Sequence, residues 1–343
     1  MITQLLPVTT QTIAQAAALL QGGAVVAFPT ETVYGLGANA LSGAAVVGIF
    51  HAKDRPVDNP LIVHVTQVAQ VEPLVRGIPR AARQLMEAFW PGPLTIVMEA
   101  ADIVPPQTRG GLATVGVRNP ASPAARMLID ACGFPLAAPS ANRSGRPSPT
   151  VAADVYADME GRIPMILDGG PCAVGVESTV VTVVGGTPRV LRPGFVTAED
   201  IAAVCGAADV DDAALRELAP GAAAASPGMK YRHYAPRAAV TVLDGENAAV
   251  QARIALLYDG AVARGGNPAV LCLRGDAAAY GNRAVYDLGG TAQSAAENLF
   301  AALRRLDADG RTEVFAEGIA PVGVGLAVMN RLLRSAGFRS FTV

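Results

Sequence analysis

The sequence predicts an α/β fold in two domains, and three observations carry that reading. Short runs rich in Val, Ile or Leu, each ended by Gly, Pro or Asn, alternate with stretches bearing helix caps at one end and glycine at the other. The composition is 51% hydrophobic and 16% charged, with 36 Gly and 25 Pro, which suits a packed, loop-punctuated chain and excludes a disordered or coiled-coil one. At about 100–200 residues per domain, 343 residues suffice for two cores.

In chain order, strands are predicted over 24–28, 61–65, 95–99, 113–118, 136–138, 165–167 and 179–184. Helices fall between them. Thr10 is a candidate cap for one running to Leu20; Ser122, Pro123 and Gly133 stand in the order cap, first-turn proline, terminal glycine; Thr197 with Asp200 opens another that ends near Cys205. Periodicity then fails, and Pro220-Gly221, an alanine run and Ser226-Pro227-Gly228 read as a linker. A second α/β unit follows, with strands over 240–243, 270–273 and 313–316 and helices over 294–306 and 324–336, the last closed by Gly337. The expected division is therefore 1–205, a linker over 206–238, and 239–343.

Charge and cysteine usage exclude several functions. The net charge is −2, with 13 basic against 15 acidic residues up to position 205 and 14 against 14 beyond, so any RNA contact has to come from a local patch. Residues 1–30 carry no charge, but Thr and Gln recur through them and no apolar span of about 18 residues follows anywhere. A cytoplasmic protein without a membrane segment is expected. Cys132, Cys172, Cys205 and Cys272 lie far apart with no C-x-x-C or Cys/His cluster, which argues against structural zinc and a disulfide framework.

Rare residues mark where chemistry is concentrated. Only Lys53 and Lys230 are lysine among 27 basic residues, and His51 and His233 stand in the same two segments, with His64 just downstream of the first. Pro29-Thr30-Glu31-Thr32-Val33-Tyr34-Gly35-Leu36-Gly37 follows a predicted strand, so its hydroxyls are expected on a loop at the carboxyl end of that strand, where open α/β sheets bind ligands. The string Gly35 to Ala40 also fits G-x-G-x-x-A, but the glycines begin six residues past the strand and no acid ends the next one. A dinucleotide site is rejected on that ground. With no Gly-Lys pair there is no Walker A loop, and phosphate or carboxylate would be met by the basic loop of Lys53 and Arg55 with Asn59, together with Arg118 and Arg192. Pro139-Ser140-Ala141-Asn142 and Glu177-Ser178-Thr179 add hydroxyls at strand ends. Neither a Ser-His-Asp or Cys-His arrangement nor a metal-ligand cluster is present, which leaves positioning and charge neutralisation around phosphate as the best-supported chemistry.

Taken together, PTETVYGLG, K-x-RP-x-x-NPL (Lys53 to Leu61), WPGPLT (Trp90 to Thr95), APSAN-x-SG (Ala138 to Gly145), ESTV (Glu177 to Val180) and LRPG (Leu191 to Gly194) resemble the YrdC-type domain of threonylcarbamoyl-AMP synthases. SPGMKYRHYAP (Ser226 to Pro236) and GLAVMNRLLRSAG (Gly325 to Gly337) resemble the long form of that family, so the likeness covers essentially the whole chain. It implies a twisted mixed sheet with a concave ligand cleft, then a smaller Rossmann-like α/β domain. It also implies formation of threonylcarbamoyl-AMP and pyrophosphate from L-threonine, bicarbonate and ATP, for threonylcarbamoyl-adenosine in tRNA.

By the same resemblance Thr32, His64, Arg118, Ala138 and Ser178 would contact threonine. Arg55, Asn59, Thr114, Ser140, Ser148, Arg192 and Tyr234 would contact ATP, with Lys53, Arg55 and Ser140 as the catalytic bicarbonate and phosphate locus. The linker would act as a lid, Mg2+ would arrive on the triphosphate, and a tRNA contact and a downstream threonylcarbamoyl transferase complex are the implied partners. Two departures stand out: Ser122-Pro123 where the family usually has His-Pro, and Asp54 where glycine is frequent, which places a negative charge beside the expected anion site. Asn330 and Arg334 share a helix face but are expected simply to pack. Two other readings remain, an RNA-binding module and the related carbamoyl-adenylate enzymes of hydrogenase maturation, which carry cysteine pairs absent here.

Overall fold

The computed structural model describes residues 1–57, 59–216 and 234–343. These fall into two compact units, the first built on 1–144 and 148–214, the second on 145–147 and 234–343.

In the first unit the strands are β1 (Gln4–Pro7), β2 (Val26–Phe28), β3 (Gly35–Asn39), β4 (Ile62–His64), β5 (Leu94–Glu99), β6 (Thr114–Arg118), β7 (Leu136–Ala138), β8 (Met165–Asp168), β9 (Thr179–Thr182), β10 (Arg189–Arg192) and β11 (Asp209–Val210). They form one mixed sheet in the order β1-β8-β2-β3-β7-β4-β6-β5-β9-β10-β11. Its helices are α1 (Thr10–Gln21), α2 (Gly43–Lys53), α3 (Arg80–Phe89), α4 (Pro123–Cys132), α5 (Ala152–Met159) and α6 (Ala198–Cys205). The caps behave as their chemistry requires. Ser122 accepts the Ala125 N–H at the start of α4, Gly133 ends it at φ 75°, and Thr197 and Asp200 close a reciprocal box on α6. For α1 the cap is Thr9, not Thr10, because Thr9 accepts the Thr12 N–H while the Thr12 hydroxyl receives the N–H of Thr9.

Two differences from the sequence reading bear on the site. The segment expected as one loop from Pro29 to Gly37 is a loop only to Tyr34; Gly35–Asn39 pairs antiparallel with β2. Its glycines have a packing reason, since a Cβ at Gly37 would lie 2.7 Å from the Phe28 ring. The 206–238 linker also begins later than expected, because Asp209–Val210 pairs with β10 and Asp212–Ala214 forms a single 3-10 turn. Lys230, His233 and the rest of 217–233 lie outside the described residues.

The sheet buries its faces unequally. One cluster runs from Val46, Ile49 and Phe50 of α2 through Leu85 of α3 to Val155 of α5 and Ile201 of α6. On the opposite face Ile13 and Leu20 of α1 and Leu128 and Ile129 of α4 pack on Phe28, Leu136 and Leu167. Farther along, Ile62, Val97, Val180 and Leu191 make a small cluster with Ala213, and none of these residues comes from an α-helix. That strip of sheet carries the site.

The second unit is a parallel five-stranded sheet in the order β14-β13-β15-β12-β16, from β12 (Ala239–Asp244), β13 (Ala269–Cys272), β14 (Val285–Asp287), β15 (Glu313–Glu317) and β16 (Ser340–Thr342). Helices α7 (Asn247–Ala263), α8 (Ala292–Ala308) and α9 (Val324–Ser335) connect them. Asn330 and Arg334 of α9 are both buried. No helix among the described residues is long and apolar enough to cross a membrane.

Candidate functional site

Sheet register assembles the site. His64 of β4 and Thr95 of β5 both stand opposite Arg118, at the carboxyl end of β6, and Leu136 of β7 stands opposite His64. Arg118 is only 4% exposed. Its Nε donates to the Gly92 carbonyl, Nη1 to the Thr32 hydroxyl at 3.0 Å, and Nη2 to Oε1 of Glu31 at 2.7 Å. A guanidinium has five N–H donors, so these three bonds leave two. The Thr32 hydroxyl is held in turn 2.9 Å from that of Thr30, which donates to the Val33 carbonyl. Ser178 joins from β9's leading edge, its hydroxyl 2.8 Å from that of Thr95. Four expected residues, Thr32, His64, Arg118 and Ser178, thus gather at one sheet end; Ala138 stands opposite Ile62 on β7, also buried.

Electrostatics at this end are set by burial and one ion pair. Burial pushes the Glu31 carboxyl up, but the adjacent Arg118 guanidinium overrides it and holds the group below the ordinary carboxylate value. His64 is neutral, its pKa lowered to about 3 by burial and then by the Arg118 charge. Its Nδ1 lies 3.1 Å from the Ile62 carbonyl, which can only accept, so that nitrogen carries the hydrogen.

A second group converges on the loop after β7. Lys53 is not a loop residue, as its sequence context suggested, but the last residue of α2; it is 1% exposed and its Nζ donates to the carbonyls of Ser140 and Asn142. The Ser140 hydroxyl donates to Oδ1 of Asn142, and Ala141 N–H to the Tyr34 carbonyl, so this loop is stitched to the Thr32 loop. Asp54 follows in the left-handed region at φ 53°, a conformation that explains why glycine suits the position. Its carboxylate does not confront the anion locus as a bare charge. It pairs with Arg143 at 2.9 Å and Arg162 at 3.0 Å.

Of the residues expected at the nucleotide, all but Tyr234 belong to the first unit. Arg55 reaches the carbonyls of Asn59 and Pro60. Asn59 is 1% exposed, and neither its Oδ1 nor its Nδ2 has a hydrogen-bond partner among the described residues, an arrangement that is costly unless a ligand completes it. Thr114 and Arg118 share one face of β6, four residues and roughly 13 Å apart. Arg192 donates through Nε and Nη2 to the Ser178 carbonyl, and the Ser148 hydroxyl donates to Oε1 of Glu177 at 2.5 Å. Tyr234 belongs to the second unit, 4% exposed, with its ring 5.2 Å from that of Phe300.

Sequence reasoning passed over Glu31, Glu177 and Thr95, each inside a string it had singled out. The signal for Glu31 was available, for it is the first charged residue in the chain.

Comparison with known proteins shows the family. Residues 18–194 match a family model described as telomere recombination, the Sua5, YciO and YrdC group, and residues 196–337 match the C-terminal domain of threonylcarbamoyl-AMP synthase. The chain is 46% identical to threonylcarbamoyl-AMP synthase of Pyrococcus abyssi over 328 residues, covering 96% of this chain and 95% of that one. It is 46% identical to the Bacillus subtilis enzyme of the same name over 330 residues, covering 95% and 93%. A crystal structure of Pyrococcus abyssi Sua5 complexed with L-threonine superposes with a TM-score of 0.92 at 44% identity, covering 100% of this chain and 99% of that one. The chain belongs to the threonylcarbamoyl-AMP synthase family, in the form that carries a Sua5-type C-terminal domain.

Proposed function

We propose that this chain is an L-threonylcarbamoyl-adenylate synthase, a nucleotidyltransferase that joins L-threonine, bicarbonate and ATP into threonylcarbamoyl-AMP with release of pyrophosphate. The observation that carries the reading is Arg118, a dry guanidinium with two donors left, set among the hydroxyls of Thr32 and Ser178 and the neutral ring of His64. A buried fork of this kind suits an amino-acid carboxylate. The close likeness to a protein crystallised with L-threonine supports threonine as that amino acid.

The chemistry needs no protein nucleophile. The threonine amine, having lost a proton, adds to bicarbonate to give a carbamate with water leaving, or to carbon dioxide with a second proton leaving the nitrogen. A carbamate oxygen then attacks the α-phosphorus of ATP, the bond to the β-phosphate oxygen breaks, and pyrophosphate departs. What the chain supplies is proximity and charge. Arg118 would fix the carboxylate, Thr32, His64, Ala138 and Ser178 would enclose the amino acid, and Asn59, Thr114, Ser148 and Arg192 would line the nucleotide. Lys53, through the Ser140 loop it holds, and Arg55 would shape the carbamate and phosphate locus. On this reading ATP enters as its magnesium complex, and the adenylate passes to a transferase that modifies tRNA.

Pyrophosphate release measured with and without L-threonine tests the proposal. Release that depends on threonine and bicarbonate together is expected. Release indifferent to threonine, or an adenylate bonded to a protein side chain during turnover, would defeat it.

A further inference from the structure

Glu31 makes more contacts around Arg118 than an ordinary ion-pair partner would. Oε1 accepts Nη2 of Arg118 at 2.7 Å, while Oε2 accepts the Ser122 N–H at 3.3 Å, at the cap of α4. The Glu31 carbonyl accepts the Val174 N–H at 2.8 Å. One residue thereby ties the Thr32 loop, the end of β6 and the first turn of α4 together. The pair is nearly dry, with side-chain exposures of 4% for Arg118 and 13% for Glu31. The Glu31 side of the pair borders a cleft of 590 Å³ lined also by Thr30, Ser122, Met127 and Asp168.

Two opposite consequences follow for an incoming carboxylate. Glu31 partly neutralises Arg118, which weakens attraction for a second anion. It also fixes the rotation of a guanidinium that only three bonds orient, and with it the directions of the two remaining N–H donors. In a site this dry, geometry outweighs net charge, because a misdirected donor forfeits a charge-assisted bond that no water replaces. We propose that Glu31 is a positioning residue for the amino-acid substrate. By holding Arg118 against the cap of α4, it aims the free donors at the substrate carboxylate and sets the preference for an α-amino acid over the corresponding amine. This inference rests on the assignment of that carboxylate to Arg118.

The test uses the full-length chain, with L-threonine compared against 1-aminopropan-2-ol, its analogue without the carboxylate, in the pyrophosphate assay and by calorimetry. Glu31→Gln should raise the KM for threonine about tenfold, the worth of one charge-assisted bond. Its KM for ATP should stay within twofold, roughly the scatter of such measurements. The preference for threonine over aminopropanol should fall by the same factor as the threonine KM rises. In an Arg118→Ala background, where that preference is already lost, adding Glu31→Gln should change it no further. Glu31→Asp, which keeps the charge but withdraws it by one methylene, is the second variant and should shift the preference in the same direction by less.

An unchanged threonine KM in Glu31→Gln would overturn the inference. So would equal losses for threonine and aminopropanol, or a parallel rise in the KM for ATP, since either is what a merely structural residue would give. If Arg118→Ala leaves the threonine KM where it was, the carboxylate assignment itself fails, and the inference with it.

Discussion

Arg118 in the first unit and Arg274 in the second are buried or nearly buried arginines at the carboxyl ends of sheet strands, each beside a buried or half-buried glutamate, yet they do different things. Arg118 meets two side chains on a loop and one carbonyl, and two of its donors stay open. All three nitrogens of Arg274 face acceptors: Nε the Gly318 carbonyl, Nη1 the Gly245 carbonyl and Asn247, Nη2 the Gly245 carbonyl and, at 3.6 Å, Asp244. Its neighbour Glu317 is likewise saturated, accepting the N–H groups of Leu273 and Arg274 and the Tyr280 hydroxyl. Strand-end position alone therefore does not make a binding site. An arginine satisfied by backbone carbonyls seals a sheet edge, and one satisfied by side chains with donors to spare can receive a ligand.

Truncating each arginine separates the two roles most directly. Arg118→Ala should raise the KM for threonine about a hundredfold or more, the loss expected when a buried bidentate contact disappears. Steady-state kinetics across threonine concentration reads this. Arg274→Ala should leave both KM values unchanged and lower the unfolding free energy of the second unit by about 1 kcal/mol, because it strands part-buried carbonyls; a chemical-denaturation midpoint measures it. If the two variants gave the same phenotype, the distinction between seal and site would be wrong.

Lys53→Met keeps the length of the stem and removes the charge that holds the Ser140 and Asn142 carbonyls. Turnover should fall about a hundredfold at saturating substrates, as misplacement of a positioning loop produces, with a circular dichroism spectrum like that of the parent. Full turnover in this variant would remove the loop after β7 from the chemistry.

Acid should weaken the first unit through His64. His64 stays neutral in the fold down to about pH 3, whereas the unfolded chain takes up its proton below 6.5, so stability falls as pH drops through that interval. At pH 5 this one group costs about 2 kcal/mol. Glu31 adds to the effect at lower pH. Its contribution is whole above its unfolded value of 4.5 and is lost as pH falls through its lower folded value. Urea midpoints at pH 7.5 and 5.0 check this, and His64→Gln should flatten the slope between 6.5 and 4.5.

The smallest effect concerns Asp54. Asp54→Gly relieves a left-handed residue but gives up two half-exposed ion pairs, so the two effects should nearly cancel and the melting temperature should stay close to that of the parent. A thermal melt reads it.

Ten of the sixteen strands among the described residues, the caps at Ser122 and Thr197, and the strings that hold nearly every site residue were legible in the residues alone, because caps and hydrophobic alternation act over a few neighbours. The sequence could not show that Gly35 and Gly37 belong to a strand, since what forbids a side chain at Gly37 is the Phe28 ring across the sheet. Nor could it show that Lys53 is buried against carbonyls almost ninety positions away, or that Glu31 answers Arg118. Those facts are contacts between distant segments, created when β4, β5, β6 and β7 take their register. Local patterning chose which residues were available, and only the closed sheet decided which of them face one another.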